Sequence, residues 1–488
     1  MRFELPATCH QASVSTVVGM RRPEYKIAVT AVYIAGLFIQ ILDSTVVNVA
    51  LPSLADEFDV DVTDVEWVIV GFGLTLAAGI PAAGWFADRF GAKRVFLSAI
   101  VIFTLASMAC GLANSLDQLV TARIVQGLGA GLITPVGSAM LYRAYPLHER
   151  AKAANTVLSV AVIAPAIGPT IGGLLIETVS WRAIFFINVP IGVLAFILGF
   201  LWLTPDEAKD PGRLDMAGLL LSSAGLALGV YALSSGPDDG WLSGRVLIPG
   251  LISLVALTVL VQVERRVAEP VLALRLLSER LFRTCNLLGL FLYMGFVSQI
   301  FMLTLYLQRF RGYSALEAGL TSSPMPMGVL LFSNLIGGRL YQRVGPRRML
   351  IVGTLGATIS TTLFVFVDSN TPLPLIGGVM FVRGLFLGSV FLAIQAAVYV
   401  RVESVDLARA ASLFNTQRQA STAIGVAITA TALAALAPIG GVGPGSGAQG
   451  LAAYQAAFLV AGLMMAPAVL VSAFIRDEDV AATRLTGS

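Results

Sequence analysis

Apolar runs broken by short charged turns recur along the chain from Ile27 to Ile475. Each run is about 18 residues or longer, which is the length a helix needs to cross a bilayer. A lone segment in lipid must satisfy its own backbone hydrogen bonds, so the pattern predicts helices and not strands. Fourteen spans are predicted, at about 27–50, 66–87, 95–114, 118–141, 152–177, 182–203, 214–235, 246–263, 284–307, 316–339, 349–367, 373–399, 408–435 and 451–475. The fold class expected is an all-α polytopic membrane protein.

Composition agrees with that pattern. Hydrophobic residues make up 56% of the 488 and charged residues only 12%, against roughly 25% charged in a soluble domain. Mean hydropathy is +0.82. The net charge of +3 decides little; the placement of the basic residues decides more. With both termini inside, 25 of the 32 Lys and Arg fall in inside segments, and only Arg182, Arg245, Arg309 and Arg311 fall outside. The remaining three, Arg123, Arg383 and Arg418, lie within spans. Such a bias orients the chain with both termini cytoplasmic and requires an even number of spans. The loop from Ser53 to Glu66 holds six acids and no Lys or Arg, which suits the outer face. Cys9, Cys110 and Cys285 are odd in number and scattered, so neither a disulfide framework nor a metal site is expected. Residues 1–20 lack the pattern of a cleavable signal peptide, and the first span serves as the insertion signal. Met20 competes with Met1 as the start.

Asp43 is the only acidic residue placed well inside a span. Insertion into hydrocarbon costs a carboxylate roughly 2.5–3.5 kcal/mol, so a retained one marks a functional site by default. Span 1 rises from the inside and span 4 descends from the outside. At ~1.5 Å per residue, Asp43 stands roughly 24 Å above the inner end and Arg123 roughly 8 Å below the outer end of a ~30 Å core. The two depths are similar. Arg123 would either share a proton relay with Asp43 through Gln126 and water or form a permanent structural pair with it.

The chain also repeats itself. Gly84-Trp-Phe-Ala-Asp-Arg-Phe-Gly-Ala-Lys-Arg94 returns as Gly338-Arg-Leu-Tyr-Gln-Arg-Val-Gly-Pro-Arg-Arg348 at an offset of 254. Arg123 matches Arg383, and Asn155-Thr156 matches Asn415-Thr416, both at an offset of 260. Two six-helix halves with spans 7 and 8 inserted between them give this pattern, and halves of that kind build a central site in many secondary transporters. The predicted organisation is a cytoplasmic segment 1–26, a six-helix bundle 27–203, two additional helices 204–265, a second six-helix bundle 266–475 and a cytoplasmic tail 476–488.

Gly84, Asp88, Arg89, Gly91, Lys93 and Arg94 resemble the signature loop of the major facilitator superfamily, G-x-x-x-D-R-x-G-x-[KR]-[KR]. The resemblance implies that Asp88 holds the cytoplasmic ends of the halves together when the cavity faces outward. The second copy has Gln342 in that place and lacks the charge. Leu42-Asp43-Ser-Thr-Val-Val-Asn48-Val-Ala-Leu-Pro52 is similar to the first-helix motif of the drug:H+ antiporter branch with fourteen spans. In span 5, Ala164-Pro165-Ala-Ile-Gly168-Pro169-Thr-Ile-Gly172-Gly173 resembles that branch's antiporter motif, with Ala164 at its first glycine. Small residues let helices approach and Pro169 kinks the span. Arg123-Ile-Val-Gln126-Gly127-Leu-Gly129-Ala-Gly131 is similar to the family's helix-4 motif, and Trp181-Arg-Ala-Ile-Phe-Phe-Ile-Asn-Val-Pro190-Ile-Gly192 to the start of its helix 6. The resemblance covers nearly the whole chain.

It implies a proton-coupled antiporter that exports amphipathic drugs, dyes or antibiotics across the plasma membrane, with Asp43 the main proton carrier and Arg123, Gln126 and Glu177 assisting. Glu177, at the outer end of span 5, is equally well read as a solvated helix end. Asn48, Arg418, Gln299, Met294 and Phe296 are the candidate cavity residues. Arg418 either meets an anionic or polar part of a substrate or bonds backbone carbonyls. Met302, Met325, Met327, Phe291, Phe301 and Tyr293 offer adaptable surface, or are core and lipid-facing residues. The partners expected are membrane lipid, small substrates and protons, without nucleic acid and with the proton gradient in place of a cofactor. A periplasmic adaptor is left undecided by the sequence. Export of a lipid or endogenous metabolite on the same fold is the alternative. Import is opposed by the span-5 motif. An integral membrane enzyme is disfavoured because the only histidines, His10 and His148, lie outside the spans. No phosphate-binding G-x-x-x-x-G-K-[ST] loop is present, so ATP is not expected as the energy source.

Overall fold

The computed structural model describes residues 23–60, 62–205, 215–267, 270–437 and 447–483. The predicted segment 1–26 therefore lies almost wholly outside the described residues, as do the choice between Met1 and Met20, Cys9, and the end of the tail. The described residues form helices and no strand. Numbered as membrane columns, α1 is Tyr25–Phe58, α2 is Trp67–Gly79 with Ala83–Phe90, and α3 is Ala92–Gly111. Next come α4 Leu116–Ala144, α5 Arg150–Thr178, α6 Ala183–Trp202, α7 Met216–Asp239 and α8 Gly244–Glu264. The last six are α9 Arg280–Phe310, α10 at 315–344, α11 Pro346–Phe366, α12 Leu373–Ala397, α13 Leu407–Leu436 and α14 Gly447–Ser472.

Eleven of these columns are long and apolar enough to cross a membrane unbroken, and thirteen are when α2 and α5 each count as one bent span. The column predicted at 316–339 is jointed. It runs as Ala315–Ser322, Pro324–Leu331, a π-helical turn Phe332–Gly337 and Gly338–Val344. Proline removes a backbone donor and clashes with the preceding turn, and this column carries Pro324, Pro326 and a Gly337-Gly338 pair. α2 bends by 55° beside Pro81 and α5 by 43° at the Pro165–Pro169 stretch.

The first six columns and the last six form two bundles. At the end carrying the basic loops they share one apolar core, from Val29 and Tyr33 in the first half to Tyr399 and Phe414 in the second. At the opposite end each half keeps its own core, around Val46 and Phe185 in one and Tyr306 and Phe458 in the other. The molecule is thus closed at its basic end. The repeated loops share a backbone: Gly91 has φ +84° and Gly345 φ +87°, a conformation that glycine reaches without steric cost.

The inserted pair packs α7 on α8 through Gly225 and Gly229, and Ser253 Oγ donates to Gly225 O at 2.6 Å. It also joins the halves. Ser223 donates to Ala78 O of α2 at 2.7 Å, and Trp241 Nε1 donates to Thr431 Oγ1 of α13 at 2.9 Å.

Candidate functional site

Gly127 and Gly131 on α4 position the site. A Cβ at Gly127 would lie 2.1 Å from Thr75 Oγ1, and one at Gly131 would lie 2.5 Å from Leu76 O. Only at glycines can α2 lie this close on α4. That approach brings Val68 O within 3.0 Å of Arg123 Nε and sets the Phe72 ring 4.1 Å from the guanidinium carbon.

Arg123 Nη1 then donates to Asp43 Oδ2 at 2.5 Å and to Gln126 Oε1 at 2.8 Å. Asp43 Oδ1 accepts from Gln126 Nε2 at 3.0 Å and from Asn188 Nδ2 at 2.9 Å. Asn188, at the turn where α6 begins its main run, also donates to Ser107 Oγ of α3 at 3.1 Å, and Ser107 donates on to Phe185 O. Cys110 adds a long 3.6 Å contact to Gln126 Oε1. Asp43 and Arg123 are 1% exposed, and Gln126, Asn188 and Ser107 are fully buried. A buried carboxylate is tolerable only when paired and hydrogen-bonded; here it has three donors from two helices.

The sequence reading placed Asp43, Arg123 and Gln126 together but did not single out Asn188, Ser107, Phe72 or Phe185. An asparagine between Ile187 and Val189 in an apolar run was the available signal. Glu177 stands apart: it is exposed near the end of α5 and makes no hydrogen bond or ion pair among the described residues.

Among the described residues, the second half carries the matching arginine without the acid. Arg383 is buried and donates to Thr361 Oγ1 at 3.0 Å, Phe296 O at 3.1 Å and Met325 Sδ at 3.2 Å. The repeat matches the two arginines and does not extend to the acid.

A central cavity lies between the bundles in two lobes of about 290 and 270 Å³. Arg123 borders the first lobe, while Asp43 sits behind it in the first bundle and lines neither. Gln40, Thr134, Asn415 and Arg418 border both lobes, and Phe296 and Tyr293 the second. The other predicted cavity residues lie off these walls. Asn48 is exposed and donates to Ser44 O of its own helix at 3.1 Å. Gln299 is buried against Met380 Sδ at 3.6 Å, and Met294 packs on Gly425. Met302 belongs to the apolar core, whereas Met327 and Phe301 are exposed.

At the basic end the signature segment of the first half meets α13 of the second. Asp88 Oδ2 accepts from Arg409 Nε at 3.0 Å, and Oδ1 lies 3.8 Å from Arg143 Nη2. A Cβ at Gly84 would lie 3.0 Å from Arg409 Cα, so α2 and α13 meet almost backbone to backbone. Ser412 donates to Ile80 O at 2.6 Å, and Arg150 Nη1 donates to Tyr399 O at 3.1 Å. Lys93 holds the end of α6 by donating to Phe200 O at 2.9 Å and to Leu203 O. Arg94 is exposed, and Arg89 precedes the turn at Gly91.

The span-5 motif is divided. Gly168 faces Thr45, and Gly172 faces Val46, where added Cβ atoms would come within 2.2 Å and 2.9 Å, so α5 lies against α1 beside Asp43. Gly173 has nothing within 4 Å and Pro165 is exposed. The side chain of Pro169 lies outside the described residues.

The family model described as Major Facilitator Superfamily matches residues 33–426 and 326–487. The putative multidrug resistance protein MdtD of Klebsiella pneumoniae (strain 342) is 35% identical over 402 residues, covering 80% of this chain and 83% of its own. The multidrug resistance protein Stp of Mycobacterium tuberculosis is 31% identical over 404 residues, covering 82% and 74%. The uncharacterized MFS-type transporter YhcA of Bacillus subtilis is 30% identical over 400 residues, covering 82% and 75%. Among solved structures, the human organic anion transporter MFSD10 superposes with a TM-score of 0.67 at 13% identity, over 92% of this chain and 99% of that one, a likeness of fold.

Proposed function

The chain belongs to the major facilitator superfamily, and from that premise we propose that this multi-pass membrane transporter is a proton-coupled exporter of amphipathic drugs, dyes or antibiotics. The observation that carries the proposal is the buried Asp43, held by Arg123, Gln126 and Asn188 behind the cavity wall. The relatives named for multidrug resistance support the substrate class.

In this reading the basic end is cytoplasmic, in the inner membrane, and the present form opens outward. Asp43 takes up a proton in this form. A neutral carboxyl no longer balances the guanidinium, and Arg123, which borders the cavity, passes that change to the cavity wall. Its release favours separation of the Asp88–Arg409 contact and opening toward the cytoplasm. Substrate entering from that side displaces the proton and the cycle reverses. One proton moving down 100 mV supplies ~2.3 kcal/mol, about a 50-fold gradient for a neutral substrate exchanged one-for-one.

The test is dye efflux in everted vesicles at imposed pH gradients with Asp43→Asn. We expect gradient-driven transport to be lost while dye still binds. Normal transport by that variant would remove Asp43 from the coupling mechanism.

A further inference from the structure

Among the described residues, the central cavity is bordered by one positive charge without a carboxylate partner and by no negative one. No described residue bordering either lobe is acidic, and the two charged ones there are Arg123 and Arg418. Arg123 is matched by Asp43 at 2.5 Å. Arg418 has no carboxylate within 4.0 Å among the described residues; its nearest aromatic partner is the Tyr293 ring, 5.9 Å from the guanidinium carbon. It stands where the two lobes meet, together with Gln40, Thr134 and Asn415. A half-buried guanidinium at membrane depth is costly to keep, and its planar fork fits a carboxylate or sulfonate with two parallel hydrogen bonds. Around it the second lobe is walled by Tyr33, Tyr142, Tyr293, Phe296, Phe391 and Phe414. These rings offer a flat apolar body a place to lie.

We propose that the cavity selects aromatic monoanions over cations of the same size, with Arg418 pairing the carboxylate or sulfonate and the tyrosine and phenylalanine rings taking the aromatic body. A cation placed there would lose its hydration to face a like charge. The preference concerns binding; its consequence for transport rests on the export reading above. An anion leaving against one entering proton moves two charges inward, whereas a monocation leaving moves none. Each charge at 100 mV is worth about 50-fold, so membrane potential alone would support a limiting gradient of about 2,500-fold for the anion and none for the cation.

A matched pair of probes tests this: 2-naphthalenesulfonate and N,N,N-trimethyl-2-naphthylammonium, titrated calorimetrically into the purified full chain. The anion is expected to bind at least about ten-fold tighter, the scale of one charge-assisted pair. Arg418→Gln should lose about that factor for the anion and remove the discrimination, while Arg418→Lys keeps most of it. The lysine variant also separates loss of charge from loss of fold. Equal or tighter binding of the cation, unchanged anion affinity in Arg418→Gln, or binding of neither probe overturns the proposal. A proton gradient that moves neither probe across proteoliposomes, with the binding preference intact, would instead sink the export reading and leave the cavity's selectivity standing.

Discussion

Asp43 Oδ1 has two amide donors and Oδ2 has the guanidinium, so each neighbour can be removed separately. Arg123→Leu leaves a buried carboxylate unpaired and should cost about 3–5 kcal/mol. Adding Asp43→Asn should restore most of that stability and none of the coupled transport. Thermal unfolding in detergent and vesicle efflux read the two quantities, and a double variant as unstable as Arg123→Leu would show that the pair is not what is lost. Asn188→Ala strips donors from both Asp43 and Ser107 and should cost about 1–3 kcal/mol in the same melt. Asn188 was hard to see in the sequence because its partner is 145 residues away. Asp43 was legible because its cost in hydrocarbon is a property of one residue.

At the scale of elements, small residues decide which helices touch. Gly127→Ala would force a Cβ to within 2.1 Å of Thr75 Oγ1 and 2.4 Å of Phe72 O, prising α2 from α4. The expected cost is about 1–3 kcal/mol, with loss of transport because Phe72 and Val68 leave Arg123. Gly173→Ala has open space around it and should stay within about 1 kcal/mol of the parent. Equal melting temperatures for the two variants would refute this packing. Both glycines lie in segments that resemble family motifs. Spacing showed that each helix has a small face, but not whether another backbone meets it. The jointed α10 was likewise read as one span, since hydropathy averages over the prolines that break it.

For the whole molecule, α2 and α13 meet at the closed basic end, where Arg409 donates to Asp88. If Asp88 is the latch we propose, Asp88→Asn weakens its pairing with Arg409 and Arg143 and shifts the population toward separated ends. Spin labels at His148 and Glu403, one in each half at that end, should report a longer and broader distance distribution in the variant. An unchanged distribution would mean that apolar packing of the shared core, not the ion pair, keeps that end closed. Among the described residues the second half holds Arg383 without a carboxylate, so the pseudo-symmetry visible in the repeat does not extend to charge there.

The sequence by itself determined the helical membrane class, the basic bias between the two faces, the repeat, and the common depth of Asp43 and Arg123. Each of these is local or additive along the chain: hydropathy over a window, charge in a loop, rise per residue. Only the tertiary structure decided that Asn188 completes the carboxylate's bonds, that Glu177 stays apart, that Asn48, Gln299 and Met294 line neither lobe of the cavity, and that the basic end is shut with Arg418 above it lacking a carboxylate among the described residues. Those outcomes depend on how far each helix is rotated about its own axis and which neighbour it meets. Close packing of all fourteen columns sets both.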